Sequence, residues 1–390
     1  MKAKSGYLPL LVITELFLPT KGGTAVWFAE VYRRLGGKEI HIVTKSVPEM
    51  EHVDANHPNT VHRLSLRRVT WLRPESLGMY WRLLTRSLKL AFTNRFIAIH
   101  AGRALPEGLI AWAVARVTFR PVLIYAHGEE LTGWGTGLKY KTMRFVLQRA
   151  NSVVANSDFT QTELIRMGVP KQNIVLINPG VDITRFRSNL PHADLKAKIG
   201  LQASQKLLVS VGRLQRRKGF DMVIKSLACL VDRGIDAHYA LIGIGEDWDY
   251  LINLAAEQKM SSRIHFLGAV SSEDLPRWLN ACDVFTMPNR EVNGDTEGFG
   301  MVFLEANACG KPVVAGIAGG TGSAVVNGVT GYRVDGTNLE AIVTALFDLL
   351  TVPGLAHTMG EQAHERAVAK FGWDTIAEQT RIFCLGRENP

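Results

Sequence analysis

Residues 297–315 have the sequence EGFGMVFLEANACGKPVVA, and this stretch indicates the fold more clearly than any other. Two glycines precede an apolar run, which is typical of a helix start, and Gly310 and Pro312 predict where that helix stops. The β-rich run 312–315 follows at once. A glycine turn, a helix and a buried strand in this order predict one repeat of a parallel α/β sheet.

The same alternation of apolar strands with helical patterns continues along the whole chain. The predicted strands are 10–14, 40–44, 121–127, 152–155 and 174–177 in the first half, and 207–211, 238–242, 264–267, 284–287 and 312–315 in the second. We therefore predict an α/β fold of two Rossmann-like, doubly wound parallel-sheet domains that face a central cleft. The turn cluster Asn178-Pro-Gly-Val-Asp182 predicts the boundary between them.

Composition excludes several classes of protein. A chain of 390 residues, with 46% hydrophobic and 21% charged residues, is typical of a globular protein with two cores. The longest apolar runs, 8–18 and 108–117, are shorter than the ~18–20 residues of a membrane-spanning helix. The four cysteines lack disulfide or metal-ligand spacing, which indicates reduced thiols. We therefore expect a cytoplasmic protein.

The positive charge is concentrated in the first half. Residues 1–150 contain 22 Lys and Arg against 10 Asp and Glu, a net charge of +12, so the remainder carries −3. The basic segment 63–103 has nine Lys and Arg and one acid, Glu75. Aromatic residues are interleaved with them: Trp71, Tyr80, Trp81, Phe92 and Phe96. Peripheral contact with the inner face of the cytoplasmic membrane and a solvated helix face both fit, whereas no nucleic-acid-binding motif accompanies the charge.

The helix start within 297–315 predicts a binding site for a diphosphate. Unpaired N–H groups and the positive end of the helix dipole attract anions there. Glu297 precedes this start and Glu305 lies about 7–8 Å further along the axis, at ~1.5 Å per residue. We predict that these two carboxylates accept hydrogen bonds from the sugar and ribose hydroxyls of a nucleotide-sugar. The simpler alternative is that both glutamates are solvated side chains on the helix surface. The residues between them are further candidates for donor binding: Gly298, Phe299, Gly300, Met301 and Val302.

Two cations follow the predicted strand 207–211. They are Arg213, which follows Gly212, and Lys218. Two cations at the end of a strand could bind the two phosphates of a diphosphate, so we predict that they do. We expect Arg216 and Arg217 to face solvent.

The first half offers a second set of candidates. The pair Gly22-Gly23 between a strand and a helix lets backbone N–H groups approach a phosphate, although such turns are also common structural devices. His127 ends the strand 121–127 and is a candidate to bond a sugar hydroxyl, with a purely structural role as the alternative. Glu129 and Glu130 are candidates on the acceptor side or solvated turn residues. The sequence contains no metal-ligand spacing, so we expect no metal and no bound cofactor.

Taken together, these motifs resemble the family 4 glycosyltransferases of the GT-B fold along nearly the whole chain. The resemblance rests on Gly22-Gly23, His127-Gly128, Ala155-Asn-Ser157, Asn178–Asp182, Val211-Gly-Arg213, Lys218-Gly219, the 297–305 segment and Ala308-Cys-Gly310-Lys-Pro312. Within this family, residues 297–306 look most like bacterial mannosyltransferases that act on phosphatidylinositol mannosides. Hexosyltransferases of exopolysaccharide assembly are similar here too.

The resemblance implies a retaining, metal-independent glycosyltransferase. It would transfer a hexose, mannose or glucose, from a nucleotide-diphosphate sugar such as GDP-mannose or UDP-glucose to a lipid-linked or polysaccharide-precursor acceptor. Residues 1–180 would form the acceptor domain, completed by a helix over 373–390, and residues 181–372 the donor domain. A soluble synthase of small glycosides or disaccharides with the same fold, and a noncatalytic nucleotide-sugar-binding scaffold, are the alternatives.

The resemblance also implies roles for individual residues. Arg213 and Lys218 would hold the diphosphate, Gly23 the distal phosphate, Glu297 the donor sugar, Glu305 the ribose, His127 the sugar O6 and the backbone near Val270 the nucleobase. One position departs from the family: Ser323 stands where a glutamate is usual. We expect this change to affect local support of the diphosphate loop and not the fold.

Overall fold

The computed structural model describes residues 8–20, 22–66, 77–133, 137–202 and 204–385. The chain divides into two compact units. Unit 1 comprises Met1–Pro179 and Trp373–Pro390, and unit 2 comprises Gly180–Gly372. Each unit is built on one parallel sheet. The prediction of two doubly wound α/β domains is confirmed.

The described residues form thirteen strands and sixteen α-helices. The strands are β1 (Leu10–Ile13), β2 (His41–Lys45), β3 (Thr60–Leu64), β4 (Ala98–Ala101), β5 (Val122–Ala126), β6 (Ser152–Ala155), β7 (Ile174–Leu176), β8 (Lys206–Val211), β9 (Ala237–Ile242), β10 (Ile264–Gly268), β11 (Val284–Met287), β12 (Val313–Gly316) and β13 (Gly331–Val334). The helices are α1 (Gly23–Leu35), α2 (Met50–Asn56), α3 (Leu77–Thr93), α4 (Leu109–Thr118), α5 (Glu129–Thr132), α6 (Leu138–Arg149), α7 (Asp158–Arg166), α8 (Ala193–Lys198), α9 (Phe220–Asp232), α10 (Trp248–Glu257), α11 (Asp274–Ala281), α12 (Met301–Ala308), α13 (Thr321–Ala324), α14 (Leu339–Thr351), α15 (Leu355–Phe371) and α16 (Trp373–Leu385). Short turns of π- or 3₁₀-helix occupy Ala104–Gly108, Lys171–Asn173, Arg216–Lys218 and Ser261–Arg263.

The two sheets share one topology. Unit 1 has the strand order β3-β2-β1-β4-β5-β6-β7, and unit 2 has β10-β9-β8-β11-β12-β13. In each sheet the order reverses beside the first strand, between β1 and β4 or between β8 and β11. Loops that leave the carboxyl ends of such a pair diverge, and ligands of open parallel sheets bind in the space between them.

Helices cover the unit 1 sheet on both faces. Because neighbouring residues of a strand point to opposite faces, Leu11 and Ile13 join the core beneath α3, α4 and α6. On the other face, the Tyr32 hydroxyl of α1 hydrogen-bonds His100 Nδ1 at 2.8 Å. The last helix, α16, packs against α1 and therefore belongs to unit 1.

The unit 2 sheet has the same two-sided burial. Val209 and Phe285 lie in the core that contains α12, whereas their neighbours Leu208 and Val284 lie in the core beneath α9 and α14. Near-continuous apolar strands of this kind are expected where helices cover both faces.

The basic segment 63–103 is not a single surface element. Residues 67–76, including Trp71, lie outside the described residues. The remainder contains the end of β3, the helix α3 and the fully paired strand β4. Within the described part of this segment, α3 is therefore the only exposed helix.

The sequence also led to expectations about membrane-spanning helices, disulfides and metal sites. Among the described helices, no single one has the length and apolarity to cross a bilayer, although α14 and α15, bent by 97° at their junction, together reach the required length and composition. The four cysteines form no disulfide; Cys282 and Cys309 are buried, and Cys229 and Cys384 are half-buried. Within the described ranges, no cluster of three or more His, Cys, Asp or Glu is arranged to hold a metal ion.

Candidate functional site

The carboxyl edge of the unit 2 sheet contains a buried ionic cluster around Glu297. Lys218 Nζ contacts Glu297 Oε2, and Arg217 Nη1 lies 3.3 Å from the same oxygen. The Glu297 residue is only 9% exposed. Burial by itself raises the pKa of Glu297, but Lys218 and Arg217 together lower it below its ordinary value. Glu297 is therefore ionised and held in one position.

Arg217 belongs to this cluster, so the prediction that it faces solvent is wrong. Its side chain is only 12% exposed, and its Nε lies 3.0 Å from Asp295 Oδ2. Arg216 does point outward, over the ring of Tyr250 and within 3.1 Å of Asp247 Oδ1. The two neighbouring arginines point in different directions because they lie on a single 3₁₀ turn.

A glycine fixes the turn that carries these cations. Gly219 has φ +79°, and a Cβ at this position would lie 2.2 Å from the carbonyl oxygen of Pro288. Any side chain there would force the turn away from the sheet edge. The N–H of Arg290 also donates to the Arg217 carbonyl at 2.8 Å, which ties the turn to the loop after β11.

The predicted turn before α12 is present. Gly300 has φ +86°, and a Cβ there would lie 2.5 Å from the ring of Phe303. Gly298 and Phe299 are buried, whereas Met301 and Val302 are half-buried at the first turn of the helix. Among the described residues, no side chain caps this helix, and its first turn contains no acid. The start of α12 therefore presents N–H groups and positive dipole charge, which suit an anion.

Glu305 lies on the fifth residue of α12. Burial raises the pKa of Glu305 to about 7, although the charge of Arg185 opposes the shift. Within the described residues, its carboxyl group has no hydrogen-bond partner. Its protonation state therefore changes near neutral pH.

Two further candidates of unit 2 lie outside the ionic cluster. Arg213 follows β8 and is exposed, and it forms no ion pair with any described residue. Gly212, just before it, has φ +157°, and a Cβ there would approach Lys218 Cε no closer than 3.9 Å. Val270 lies two residues beyond β10 and is half-buried against the core. Of the two predicted cations, only Lys218 contacts Glu297.

The unit 1 candidates lie at the carboxyl edge of their own sheet. His127 follows β5, and its Nε2 lies 2.7 Å from the Gly102 carbonyl, so that nitrogen carries a proton. The buried Glu130 accepts from the His127 backbone N–H at 2.9 Å and supports the loop. Glu129 is exposed. Of the two acceptor-side candidates, Glu129 is the accessible one.

Arg103, which the sequence did not single out, follows β4 at the same edge. Its Nε lies 3.4 Å from Oε1 of Glu107, a fully buried carboxyl group. Burial by itself lowers the pKa of Arg103, but the carboxylates of Glu107, Glu15, Glu130 and Glu129 raise it. The sequence pair Gly102-Arg103 could have indicated a cation at the end of a strand. That interpretation requires β4 to be predicted as a strand, and it was not.

The Gly22-Gly23 turn opens α1. Gly22 has φ +142°, and a Cβ placed on it would meet no described atom within 4 Å. No side chain in the described part of the chain caps α1, and its first turn contains no acid. This helix start is therefore also open to an anion.

Ser323 lies on α13 in a loop held by two arginines. Arg366 Nη2 donates to the Ser323 carbonyl at 2.8 Å, and Arg333 Nη2 donates to the Ile317 carbonyl at 3.2 Å. The loop also contacts the Glu297 segment, because Gly320 N–H donates to the Glu297 carbonyl at 2.7 Å. Two guanidinium groups thus support the loop that contains Ser323, the position where the family 4 glycosyltransferases usually have a glutamate.

Two protein families match almost all of the chain. Residues 21–185 match the family described as Glycosyltransferase Family 4. Residues 192–366 match the family described as Glycosyl transferases group 1. The two matches correspond to unit 1 and unit 2.

Similar proteins match either nearly the whole chain or a little more than half of it. A GDP-mannose-dependent alpha-(1-6)-phosphatidylinositol monomannoside mannosyltransferase of Mycolicibacterium smegmatis is 30% identical over 386 residues, which are 97% of this chain and 98% of that protein. A D-inositol 3-phosphate glycosyltransferase of Catenulispora acidiphila is 32% identical over 246 residues, 60% of this chain and 56% of that protein. A crystal structure of HepE from Anabaena, in complex with UDP, superposes with a TM-score of 0.83 at 21% identity and covers 97% of this chain and 100% of HepE.

Proposed function

Since this chain belongs to the family 4 glycosyltransferases and has their GT-B fold, it is a glycosyltransferase, and we propose that it transfers mannose from GDP-mannose to a lipid-linked acceptor. We further propose that the transfer retains the anomeric configuration and needs no metal ion. The observation that carries the choice of donor is the 30% identity, over nearly the whole of both chains, to a GDP-mannose-dependent mannosyltransferase.

The charges of unit 2 support binding of a diphosphate at its carboxyl edge. Lys218 and Arg217 already surround one carboxylate there, and the uncapped start of α12 follows within a few residues. Arg213, four residues before Arg217 in the sequence, is exposed and has no competing ion pair among the described residues. When the bond to the sugar breaks, negative charge grows on the diphosphate, and fixed cations and helix N–H groups stabilise it.

The same groups make a divalent cation unnecessary in this proposal. A metal in such reactions neutralises the leaving diphosphate, and here Arg213, Lys218 and the helix start would supply that charge.

The two glutamates would bind opposite ends of the donor. Glu297 is ionised and fixed by Lys218, so its carboxylate would accept hydrogen bonds from the mannose hydroxyls. Glu305, whose carboxyl group has no hydrogen-bond partner among the described residues, would accept from the ribose hydroxyls. Gly298, Phe299, Gly300, Met301 and Val302 would contact the donor between them, and the backbone near Val270 would meet the base.

Unit 1 would supply the acceptor side. His127 Nε2–H donates its hydrogen bond to the Gly102 carbonyl. The remaining ring nitrogen, Nδ1, would therefore accept a hydrogen bond from the O6 hydroxyl of the sugar. Gly22 and Gly23, at the open start of α1, would approach the distal phosphate. Glu129 would contact acceptor hydroxyls, with Glu130 holding the loop behind it. A lipid-linked acceptor would keep the enzyme at the cytoplasmic face of the membrane.

Thermal shift with a panel of nucleotide-sugars tests the donor. A ligand present at about 100 times its dissociation constant adds roughly 2.7 kcal/mol of stability. We expect GDP-mannose to give the largest shift, UDP-glucose and ADP-glucose smaller ones. A larger shift with UDP-glucose would contradict the proposed donor.

Product analysis tests the chemistry. Transfer from GDP-α-mannose to a phosphatidylinositol mannoside should give an α-linked product by NMR, at a rate that excess EDTA does not change. A β-linked product would contradict retention, and loss of activity in EDTA that magnesium restores would contradict metal independence.

A small soluble acceptor is the second candidate, because the Catenulispora relative is named for D-inositol 3-phosphate. Assays with inositol 3-phosphate and with the lipid acceptor, at equal donor concentration, separate the two. Higher kcat/KM for inositol 3-phosphate would favour the soluble reaction.

A further inference from the structure

Three loops of unit 1 meet around Arg103 at the carboxyl edge of its sheet. Arg103 follows β4, and the neighbouring loops follow β1 and β5, the strands on either side of β4. The strand order reverses between β1 and β4, and open parallel sheets bind their ligands at such a point. Arg103 therefore lies where a ligand of unit 1 is expected.

Gly102, immediately before Arg103, fixes the backbone at the end of β4. A Cβ on Gly102 would lie 2.5 Å from Thr14 Oγ1, so no side chain fits there. The Gly102 N–H donates to the Ile13 carbonyl at 2.8 Å, and the Gly102 carbonyl accepts from His127 Nε2 at 2.7 Å. The backbone that carries Arg103 is thus bound to the end of β1 and to His127.

Glu107 holds the Arg103 side chain from within the core. Its carboxyl group is fully buried, and Oε1 lies 3.4 Å from Arg103 Nε and accepts from the Glu15 N–H at 2.9 Å. The other oxygen, Oε2, is also buried and has no hydrogen-bond partner among the described residues. Stability does not require such a pair, since apolar residues of similar size generally stabilise a core at least as well. We therefore assign Glu107 the role of orienting Arg103.

The Arg103 guanidinium keeps most of its hydrogen-bonding capacity. Of its three nitrogens, Nε is the one that faces Glu107. No described residue accepts a hydrogen bond from Nη1 or Nη2, and the side chain is 26% exposed. A guanidinium that is fixed at Nε and open at its two terminal nitrogens is suited to bind ligand oxygens in a forked geometry.

Negative charge exceeds positive charge around this guanidinium. Four carboxyl groups act on Arg103 and raise its pKa: those of Glu107, Glu15, Glu130 and Glu129. Lys45 Nζ, 4.0 Å from Glu15 Oε1, offsets part of that charge. The carboxylates would repel a phosphate group placed beside Arg103. A sugar hydroxyl suits the same mixture, because it both accepts from a guanidinium and donates to a carboxylate.

We propose that Arg103 binds the acceptor, and that the part of the acceptor which enters this edge of unit 1 is an uncharged sugar. The Arg103 Nη groups would donate to oxygens of that sugar, and Glu129 would accept from its hydroxyls. Glu107 would be a positioning residue, because it is buried behind Arg103. Any phosphate of a lipid-linked acceptor would lie outside this edge. This role of Arg103 rests on the proposed transfer to an acceptor with a glycan, but not on the identity of the donor.

Matched acceptors test the charge. The neutral probes are the octyl glycosides of mannose, glucose and N-acetylglucosamine, and the charged probes are the 3-phosphate and the 6-phosphate of each, so that one of them leaves the reacting hydroxyl free. We expect transfer to at least one neutral glycoside, with kcat/KM at least about tenfold above that of either of its phosphates. Preference for a phosphorylated probe or for inositol 3-phosphate, or no transfer to any neutral glycoside, would overturn the proposal.

Substitutions of Arg103 test its contact with the acceptor. Arg103→Gln should raise the acceptor KM by about 10- to 100-fold and leave the donor KM unchanged, because it removes charged hydrogen bonds to the acceptor alone. Arg103→Lys keeps the charge but not the fork, so its acceptor KM should be intermediate. Arg120→Gln is the matched control: Arg120 is exposed before β5, at the opposite edge of the same sheet, and both KM values should stay those of the parent.

Glu107→Gln tests the positioning role. It keeps an oxygen for the Glu15 N–H but removes the charge that holds Arg103 Nε, so we expect a rise in acceptor KM of about 3- to 10-fold with the donor KM unchanged. An unchanged acceptor KM in Arg103→Gln, or an equal rise of both KM values, would show that Arg103 does not bind the acceptor. If Arg103→Gln does not fold, the same two outcomes in Arg103→Lys decide the matter. Every variant is assayed with the nucleotide-sugar that gives the largest thermal shift, so a donor other than GDP-mannose would refute only the proposed donor.

Discussion

Lys218 and Arg213 make different contacts, although both were predicted to bind the donor diphosphate. Lys218 pairs with the buried Glu297, whereas Arg213 is exposed and has no ion pair among the described residues. We expect Lys218→Ala and Arg213→Ala each to lower kcat on the order of 10²-fold, since each removes a fixed charge from the leaving diphosphate. Only Lys218→Ala should lower the free energy of unfolding, by about 1–3 kcal/mol, because it leaves Glu297 partly uncompensated.

Arg216→Ala is the matched control for that pair. Arg216 lies on the same turn but points to Tyr250 and Asp247. Its kcat and its chemical denaturation curve should remain close to those of the parent. Near-normal turnover of either Lys218→Ala or Arg213→Ala would show that the diphosphate is held elsewhere.

Glu305 makes donor binding and stability depend on pH in opposite directions. Its pKa is raised to about 7 in the folded protein, above the ordinary value of 4.5. The folded state therefore holds more protons than the unfolded state between these values, and stability falls as pH rises through them. Glu305→Gln removes this effect. We expect it to stabilise the empty protein by about 3 kcal/mol at pH 8, at roughly 1.4 kcal/mol for each pH unit of the shift, and hardly at all below pH 4.5.

Donor affinity should respond to Glu305 with the reverse sign. The ribose hydroxyls need an ionised acceptor, so the parent should bind GDP more weakly as pH falls below 7, and Glu305→Gln should bind weakly and without this dependence. Denaturation and calorimetry at pH 5 and pH 8 measure both effects. A pH-independent difference in stability between parent and variant would contradict the raised pKa.

At the scale of elements, the end of α4 offers a prediction about stability alone. Phe119 occupies a left-handed backbone conformation that costs a non-glycine residue about 1–2 kcal/mol. Its exposed ring contributes little to the core, so Phe119→Gly should raise the free energy of unfolding by about 0.5–1 kcal/mol after the greater chain entropy of glycine is included. Urea denaturation measures the change.

Val117→Gly is the control for this prediction. Val117 is also exposed but lies within α4, two residues before Phe119, where the backbone is helical. Glycine in a helix interior is unfavourable, so this variant should be less stable than the parent. A loss of stability in both variants would show that the backbone at residue 119 is not strained.

Sequence patterns predicted most accurately the strands that consist of an uninterrupted run of small or apolar residues. Ser152–Ala155 and Val284–Met287 are fully buried strands, and both were predicted with these bounds. β3 and β13 were missed because polar residues interrupt their apolar runs: Thr60, His62 and Arg63 in β3, and Arg333 in β13. β4 was missed although it lies at the centre, because its sequence Ala-Ile-His-Ala has a single strongly β-forming residue. Its histidine is accommodated by a hydrogen bond from Tyr32, a contact between distant residues that no local pattern reveals.

The candidate site shows the same limit. Glycine turns and the spacing of Glu297 from Glu305 are local, so their place at a helix start was predictable from sequence. Whether Arg217 points to solvent depends on the opposite loop, which supplies Asp295 and Glu297, and the prediction was wrong. Arg103 was missed for a related reason, since its neighbours Glu15 and Glu129 come from the ends of other strands.

At the scale of the whole molecule, the last helix, α16, follows unit 2 in the sequence but is part of unit 1. α16 packs against α1, where Arg34 Nε lies 2.7 Å from Asp374 Oδ1, and it buries Trp373 and Ile376. Burial of two such side chains stabilises by about 1.5–3 kcal/mol each. A chain that ends at residue 372 should therefore lose roughly 5 kcal/mol from unit 1, while the Lys218–Glu297 cluster of unit 2 keeps all its partners. Hydrogen exchange should show fast exchange in α1, and calorimetry should show GDP binding that persists. A chain that ends at residue 385 keeps α16 and is the control; if the shorter chain exchanges no faster in α1 than this control, the assignment of α16 to unit 1 is wrong.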